Sequence, residues 1–367
     1  MDKLISNIRV SERLSPEDAL RLYHDADEQV LAALADEKRR NSQGDKVFFT
    51  QNFHIEPSNV CIHRCAFCSF RRHSIEEDGA WAWSIEQMLQ YAREKYRPGI
   101  TEVHIVGSVH PSRDLYFYAA LLEALRRMVP PEVCIKAFSA VEIYDMCQMA
   151  GLSYAEGLTI LKDKGLGMLP GGGAEIFDPV LRARICPDKI DGDSWLDIHR
   201  TAHRLGIPSN ATMLFGHLET PEQAIDHLNR LRRLQDETQG FTAFIPLQYK
   251  SANNEMSAIG EVGLPRILRQ FALARLFLDN IPHIKAYWPM LGAAATRLAL
   301  TCGADDLDGT IEDSTQIYSM AGAEARHPGY TREALCQLIR EAGYRPQERD
   351  AFYHEVPGAT AHAPHPR

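Results

Sequence analysis

Cys61, Cys65 and Cys68 fall within eight positions of "CIHRCAFCSF", residues 61–70. Their spacing, C-x3-C-x2-C, narrows the chemistry they can do. Structural zinc sites use cysteine pairs closed by a second pair downstream, and no second pair follows here. A thiol redox motif needs two cysteines rather than three. Three thiolates from one short loop can instead hold three irons of a [4Fe–4S] cube, since cysteine thiolates are the common ligands of such clusters. The fourth iron is then open to a small chelating molecule. The missing fourth ligand therefore points to a reactive cluster rather than a plain electron carrier. The other five cysteines, Cys134, Cys147, Cys186, Cys302 and Cys336, are scattered. They are expected to be free buried thiols that pack as small apolar groups. Disulfides are the weaker expectation in a chain with no recognisable secretion signal.

Such a loop has to be positioned by regular elements. Ser15, with Pro16 in the first turn and Asp18 three residues on, predicts a helix start. The helix is expected to continue through Arg40, with Lys38, Arg39 and Arg40 as a solvated end favoured by the dipole. Strand candidates follow at 54–60, 102–108, 133–139, 172–177, 209–215, 241–247, 283–288 and 301–309. Helical patterns such as "DLYFYAALLEALRRM" and "TPEQAIDHLNRLRRLQDE" lie between them. Eight strands alternating with helices predict an α/β fold, a parallel (β/α)8 barrel of the TIM type. The expected organisation is an N-terminal helical extension over 1–50, a barrel core over 51–310, and a C-terminal helical segment with a flexible tail over 311–367. A helix is expected at about 331–343, and "PGATAHAPHPR" reads as a frayed tail or tag remnant.

Composition sets the class. The chain has 367 residues, 45% hydrophobic and 24% charged, with net charge -9. That is ordinary globular composition, and an acidic balance disfavours coating nucleic acid. No apolar run reaches the ~18 residues of a membrane span. A soluble cytoplasmic protein that works on neither nucleic acid nor membrane is expected.

Barrel active sites lie at the carboxyl ends of the strands, and candidate residues collect there. The cysteine loop follows the first strand. Gly107 and Ser108 end the second, where a plain strand-ending turn is the weaker alternative to a functional role. Glu142 follows the third. Gly171, Gly172, Gly173 and Glu175 form the fourth, and buried carboxylates such as Glu142 and Glu175 must be paired or hydrogen-bonded. His217 ends the fifth and Gln248 the sixth. His110 and His217 are as well explained as structural histidines.

The pattern C-x3-C-x-aromatic-C, with Phe67 as the aromatic, resembles the signature of the radical S-adenosylmethionine (SAM) superfamily. That resemblance implies a [4Fe–4S] cluster whose open iron chelates the amino and carboxylate groups of SAM. An electron, from a donor such as flavodoxin or ferredoxin, then releases a 5′-deoxyadenosyl radical. It also implies that Phe67, Gly107 and Ser108 lie at the cofactor, although relatives usually carry a second glycine where Ser108 stands. Glu142 and Glu175 become candidate partners of the SAM ribose or ammonium. Arg182 or Arg184 becomes a candidate partner of its carboxylate.

"NVCIHRCAFCSF", "KAFSAVEI", "LKDKGLGMLPGGGAEIF", "GHLETPEQ", "HIKAYWPMLG" and "GADDLDGTI…IYSMAGA" together resemble the aminodeoxyfutalosine synthase family of the futalosine route to menaquinone. The resemblance runs from about residue 50 to 345. Cyclic dehypoxanthine futalosine cyclases and the deazaflavin (F420) synthases share the cysteine trio and the GGGAE segment. They tend to read "GANDFGGT" where this chain has "GADDLDGT", with Asp305, Asp306 and Asp308. The synthase resemblance implies that the adenosyl radical adds to the vinyl carbon of 3-[(1-carboxyvinyl)oxy]benzoate. The aryl group then migrates and the carboxylate carbon leaves, giving 6-amino-6-deoxyfutalosine. His217, Arg182 and Gln248 are candidates for the substrate carboxylates by rim position. Tyr287 and Trp288 are candidates for its ring, with core packing the equal alternative. Asp305 and Asp308 are candidates for nucleoside contact or proton transfer.

Overall fold

A computed structural model describes residues 2–9, 12–322 and 329–356. The tail expected at 357–367 lies outside the described residues. Ten strands occur in chain order: β1 (Lys46–Thr50), β2 (Asn52–Ile55), β3 (Glu102–Ile105), β4 (Cys134–Ala137), β5 (Leu166–Met168), β6 (Ser209–Phe215), β7 (Phe241–Gln248), β8 (His283–Ile284), β9 (Asp306–Gly309) and β10 (Arg345–Glu348).

Every strand pair is parallel. The run β2-β3-β4-β5 meets β6-β7-β8 through a bridge between Leu169 and Ser209. A bridge between Lys285 and Asp306 carries the ring on to β9. β1 runs into β2 through Gln51, pairing with β9 on one side while β2 pairs with β3 on the other. The two form one bent first strand, and the ring closes as a (β/α)8 barrel. Parallel strands need long crossovers, and helices supply them here. Phe53, Ile55, Val103, Ile105, Ile135 and Ala137 are buried against that helical layer. The alternate residues Asn52, His54, Glu102, His104 and Lys136 face the lumen, because successive side chains point to opposite faces.

The structure departs from the sequence expectations in several places; among them, β8 is only His283–Ile284 and Trp288 opens a helix, Trp288–Leu300, rather than lying in the seventh strand. The fourth strand is Leu166–Met168, and the glycine stretch at 172–177 is a loop beyond it. Pro170 has no N–H to offer a ladder and so helps to end the strand. The leading helix is two helices, Pro16–Asp25 and Glu28–Gln43. Ser15 caps the first, as expected, by accepting from the Asp18 N–H. Asp27 caps the second by accepting from the N–H groups of Gln29 and Val30, which restarts the helix. Arg39 is not a solvated helix end: it is fully buried, with its guanidinium 4.3 Å from the centre of the Tyr344 ring. Residues 46–50, placed with the helical extension, form β1, and β10 lies along it from Lys46 to Phe49. The late helix expected at 331–343 is present as Arg332–Glu341. Among the described residues no helix is long and apolar enough to cross a membrane.

Candidate active site

The cysteine loop leaves β2 and is tied down from several sides. Cys61 N–H donates to the Arg72 carbonyl at 2.7 Å and Ile62 N–H to Val109 at 3.0 Å. Ala66 N–H reaches Ile185, and Cys68 N–H closes a turn on Cys65. Arg71 donates to the Cys65 carbonyl, and His63 meets Asp145 at 3.0 Å. All eight cysteines are free thiols, and the five scattered ones are buried. Cys65 is buried, while Cys61 and Cys68 are partly exposed.

Burial pushes the Cys65 thiol up to about 12, against the opposing field of Lys189. Burial also raises Cys61, against backbone N–H groups that lower it. Sulfurs in such a setting need a strong cation to become thiolates. A cationic iron–sulfur core supplies one, so the donor set fits a cluster. Among the described residues no three His, Cys, Asp or Glu side chains are gathered around a single-ion site. A cube gives each thiolate its own iron and needs no such convergence.

Gly107 and Ser108 follow β3 and hold the root of this loop. A Cβ on Gly107 would lie 3.0 Å from the Ser58 carbonyl. The Ser108 hydroxyl sits 2.6 Å from the Val60 carbonyl and 2.9 Å from that of Ser58. Both residues therefore act first on the segment after β2 that leads into the cysteines.

Glu142 is buried in the first turn of the helix Ala140–Ala150. Its Oε2 accepts from the Ser139 N–H at 2.7 Å and from the Ser139 hydroxyl at 2.8 Å. Burial pushes its carboxyl up to about 7, although the Ser139 hydrogen bonds pull the other way.

Glu175 lies in the glycine loop after β5 with a left-handed φ of 47°. A backbone held there costs ~1–3 kcal/mol and tends to mark a working position. A Cβ on Gly171 would strike the backbone of β6, 2.7 Å from the Asn210 carbonyl. The glycine there thus lets the loop press on the barrel wall. Glu175 pairs with Lys189 at 2.6 Å. Lys189 also lies 5.3 Å from the centre of the Phe67 ring. Burial disfavours its charge, but Cys65, Glu175 and Cys186 outweigh burial and raise its pKa well above the ordinary lysine value.

Arg182, rather than Arg184, turns inward: Arg182 is buried and Arg184 exposed. Its guanidinium donates to the carbonyls of Ala174, Ile176 and Ile190. It therefore braces the backbone on either side of Glu175.

Further round the rim, His217 Nε2–H donates to the Leu214 carbonyl at 3.1 Å. Burial lowers the His217 pKa, against the nearby Glu219 carboxylate that raises it. Gln248 reaches Glu261 at 3.4 Å. Trp288 donates to the Gly309 carbonyl and packs on Tyr330, and Tyr287 meets the Tyr318 ring edge to face. Asp308 pairs with Lys285 at 2.6 Å near the carboxyl end of β9. Asp305 precedes the amino end of β9, at the opposite side of the barrel from the cysteine loop. His110 accepts from the Ser112 N–H at 3.2 Å.

The strand directions thus gather Cys61, Cys65, Phe67, Cys68, Gly107, Ser108, Glu142, Glu175 and His217 at one rim, and leave Asp305 away from it. Sequence reasoning missed Lys189, because no local pattern in "CPDKID" announces its partner. It also missed His54, His104 and Lys136. Their signal was present: "NFHI", "EVHI" and "CIKA" alternate polar with apolar, whereas strands buried on both faces usually read as apolar runs.

Comparison with known proteins agrees with this geometry. Residues 55–231 match the radical SAM superfamily, and residues 238–360 match the CofH/MqnC C-terminal region. An aminodeoxyfutalosine synthase of Thermus thermophilus is 42% identical over 96% of this chain and 95% of its own. A 5-amino-6-(D-ribitylamino)uracil–L-tyrosine 4-hydroxyphenyl transferase of Methanothermobacter thermautotrophicus is 36% identical over 96% and 97%. The crystal structure of methylornithine synthase shares the fold, with a TM-score of 0.74 at 16% identity over 94% of this chain and 97% of its own. Radical SAM enzymes use a [4Fe–4S] cluster and SAM. With near-complete coverage at 42% identity and a cysteine rim to match, the chain belongs to the aminodeoxyfutalosine synthase family of radical SAM enzymes.

Proposed function

We propose that this enzyme joins the adenosyl carbon of SAM to the vinyl carbon of 3-[(1-carboxyvinyl)oxy]benzoate, forming 6-amino-6-deoxyfutalosine for menaquinone synthesis. The observation that carries the reading is the rim itself: three free thiols in one braced loop, facing the Glu175–Lys189 pair. When bound, the cluster and SAM supply the 5′-deoxyadenosyl radical. Cys61, Cys65 and Cys68 hold the cluster, with electrons arriving from a flavodoxin or ferredoxin.

The chain's own residues do the rest. Gly107 and Ser108 fix the root of the loop, and Arg182 fixes the carbonyls beside Glu175. Glu175 then offers its carboxylate to the SAM ribose or ammonium, with Lys189 holding its charge. Phe67 covers the cofactor, and Glu142 faces it from the neighbouring helix start. Such fixed groups supply rate by positioning, because a radical and a double bond held in contact need no further search. A closed barrel also keeps water and stray hydrogen donors away.

The test uses anaerobically reconstituted protein, the enolpyruvyl ether and SAM labelled in its adenosyl part. The label is expected in the nucleoside product. Stoichiometric free 5′-deoxyadenosine beside a hydrogen-abstracted product would point instead to cyclase-type chemistry.

A further inference from the structure

His54 on β2 and His104 on β3 are register partners inside the barrel. Their rings meet edge to face with centroids 4.6 Å apart. All four ring nitrogens are shut off from solvent, and none has a hydrogen-bond partner among the described residues. Leaving a buried polar atom unpaired is costly. Four together, on adjacent strands, are costly enough to ask what meets them.

The neighbours say what kind of group that is. Lys136 on β4 pairs with Glu102 at 2.7 Å, and Lys285 beyond β8 pairs with Asp308 at 2.6 Å. These pairs balance in charge. Each ammonium is thus already spent on a carboxylate. Each neutral imidazole brings one N–H and one acceptor nitrogen. The two unspent N–H groups, side by side on adjacent strands, match an acceptor with two oxygens.

We infer that His54 and His104 seat a carboxylate of a small organic acid inside the barrel, below the cysteine rim, each ring donating one N–H to it. The identity of the acid rests on the function proposed above; the seat itself rests on the rings. Burial holds His54 neutral, modified by Asp308 and Glu102 on one side of the balance and Lys136 and Lys285 on the other. His104 is likewise held neutral by burial, with Lys136, His54, Asp308 and Lys285 around it. An arriving carboxylate favours the charged imidazole. Binding is then accompanied by uptake of a proton.

The test is isothermal titration of the holoenzyme with 3-(carboxymethoxy)benzoate, which keeps the ring, ether and both carboxylates but lacks the reactive vinyl carbon. Titrations in two buffers of different ionisation heat report the proton. The His54→Phe/His104→Phe variant is expected to bind about 10- to 100-fold more weakly, the loss of hydrogen bonds to a charged group. The His54→Gln/His104→Gln variant keeps N–H donors. It is expected to recover most of the affinity while losing the proton uptake. Unchanged affinity in the Phe variant overturns the proposal, as does wild-type binding without proton uptake. Should the Phe variant not fold, the Gln variant decides by its proton uptake. Labelled-product analysis of the wild type judges the reaction separately. A wild type that binds the probe through these rings but makes no adenosyl nucleoside keeps the seat and loses the assigned reaction.

Discussion

At the floor of the barrel Asp305 accepts from Arg275 at 2.5 Å, from His283 at 2.7 Å and from the Ile284 N–H at 2.7 Å, and Asp306 accepts from Arg349 at 2.6 Å. At the rim, Glu175 has Lys189 alone as its cation among the described residues, and Glu142 accepts both hydrogen bonds from Ser139 on one oxygen. Both regions bury charge, and both draw on residues far apart in sequence. The floor matches each carboxylate with fixed partners until little capacity is left. The rim stops short, and burial there pushes the Cys65 and Glu142 groups toward their neutral forms. A saturated set holds the fold together, because removing one partner strands a buried charge. An unsaturated set is kept in place by braces such as Arg182 and Ser108 and can still receive a ligand.

The largest expected effect lies at the rim. Cys65→Ala is expected to abolish bound iron and product while leaving the urea midpoint near wild type. A large stability loss with iron retained would erase the contrast. At the floor, Asp305→Ala is expected to cost ~3–5 kcal/mol in urea unfolding, as for one half of a buried pair. Product per folded molecule should stay close to wild type. If activity collapses at unchanged stability, Asp305 belongs with the chemistry after all.

Lys189→Met tests the middle ground. It is expected to weaken SAM binding or activity by about 10–100-fold, the range for groups that support a metal or cofactor site. Equilibrium SAM binding and thermal melting measured on the same sample would separate this from simple unfolding. Glu142 makes a smaller and signed prediction. Its folded carboxyl titrates at about 7 because of burial, against an ordinary value of 4.5. Between those values the folded state keeps a proton that the unfolded state loses, so its contribution to stability falls as pH rises through that window. Glu142→Gln should flatten this part of the stability–pH curve. The smallest effect is expected at Ser15, remote from both sets: Ser15→Ala removes a helix cap and should cost ~1 kcal/mol with no change in turnover.

Much of the barrel was legible because its signals are local. The strands at 102–108, 133–139, 209–215 and 241–247 were visible as short β-branched and aromatic segments between helical patterns, and Ser15 announced its helix through a side chain that reaches only three residues. The fourth strand was misplaced because three residues are too few to show a period, while "GGAEIF" imitates a strand. The split at Asp27 was missed because "DADEQ" also reads as a continuous polar helix face. β1 and β10 were missed because each is stabilised by a partner some three hundred residues away.

The site divides along the same line. The cysteine trio is determined by sequence alone, since spacings of four and three residues within one loop already restrict which chemistry its thiols can share. Tertiary structure alone decided which charges were spent. Arg182 went to four backbone carbonyls and Asp305 to Arg275 and His283, while Glu175 met Lys189 and two histidines in the lumen were left without partners among the described residues. Those outcomes depend on which side chains the closing barrel brings within hydrogen-bond reach, and spacing along a chain carries no record of distance across a barrel.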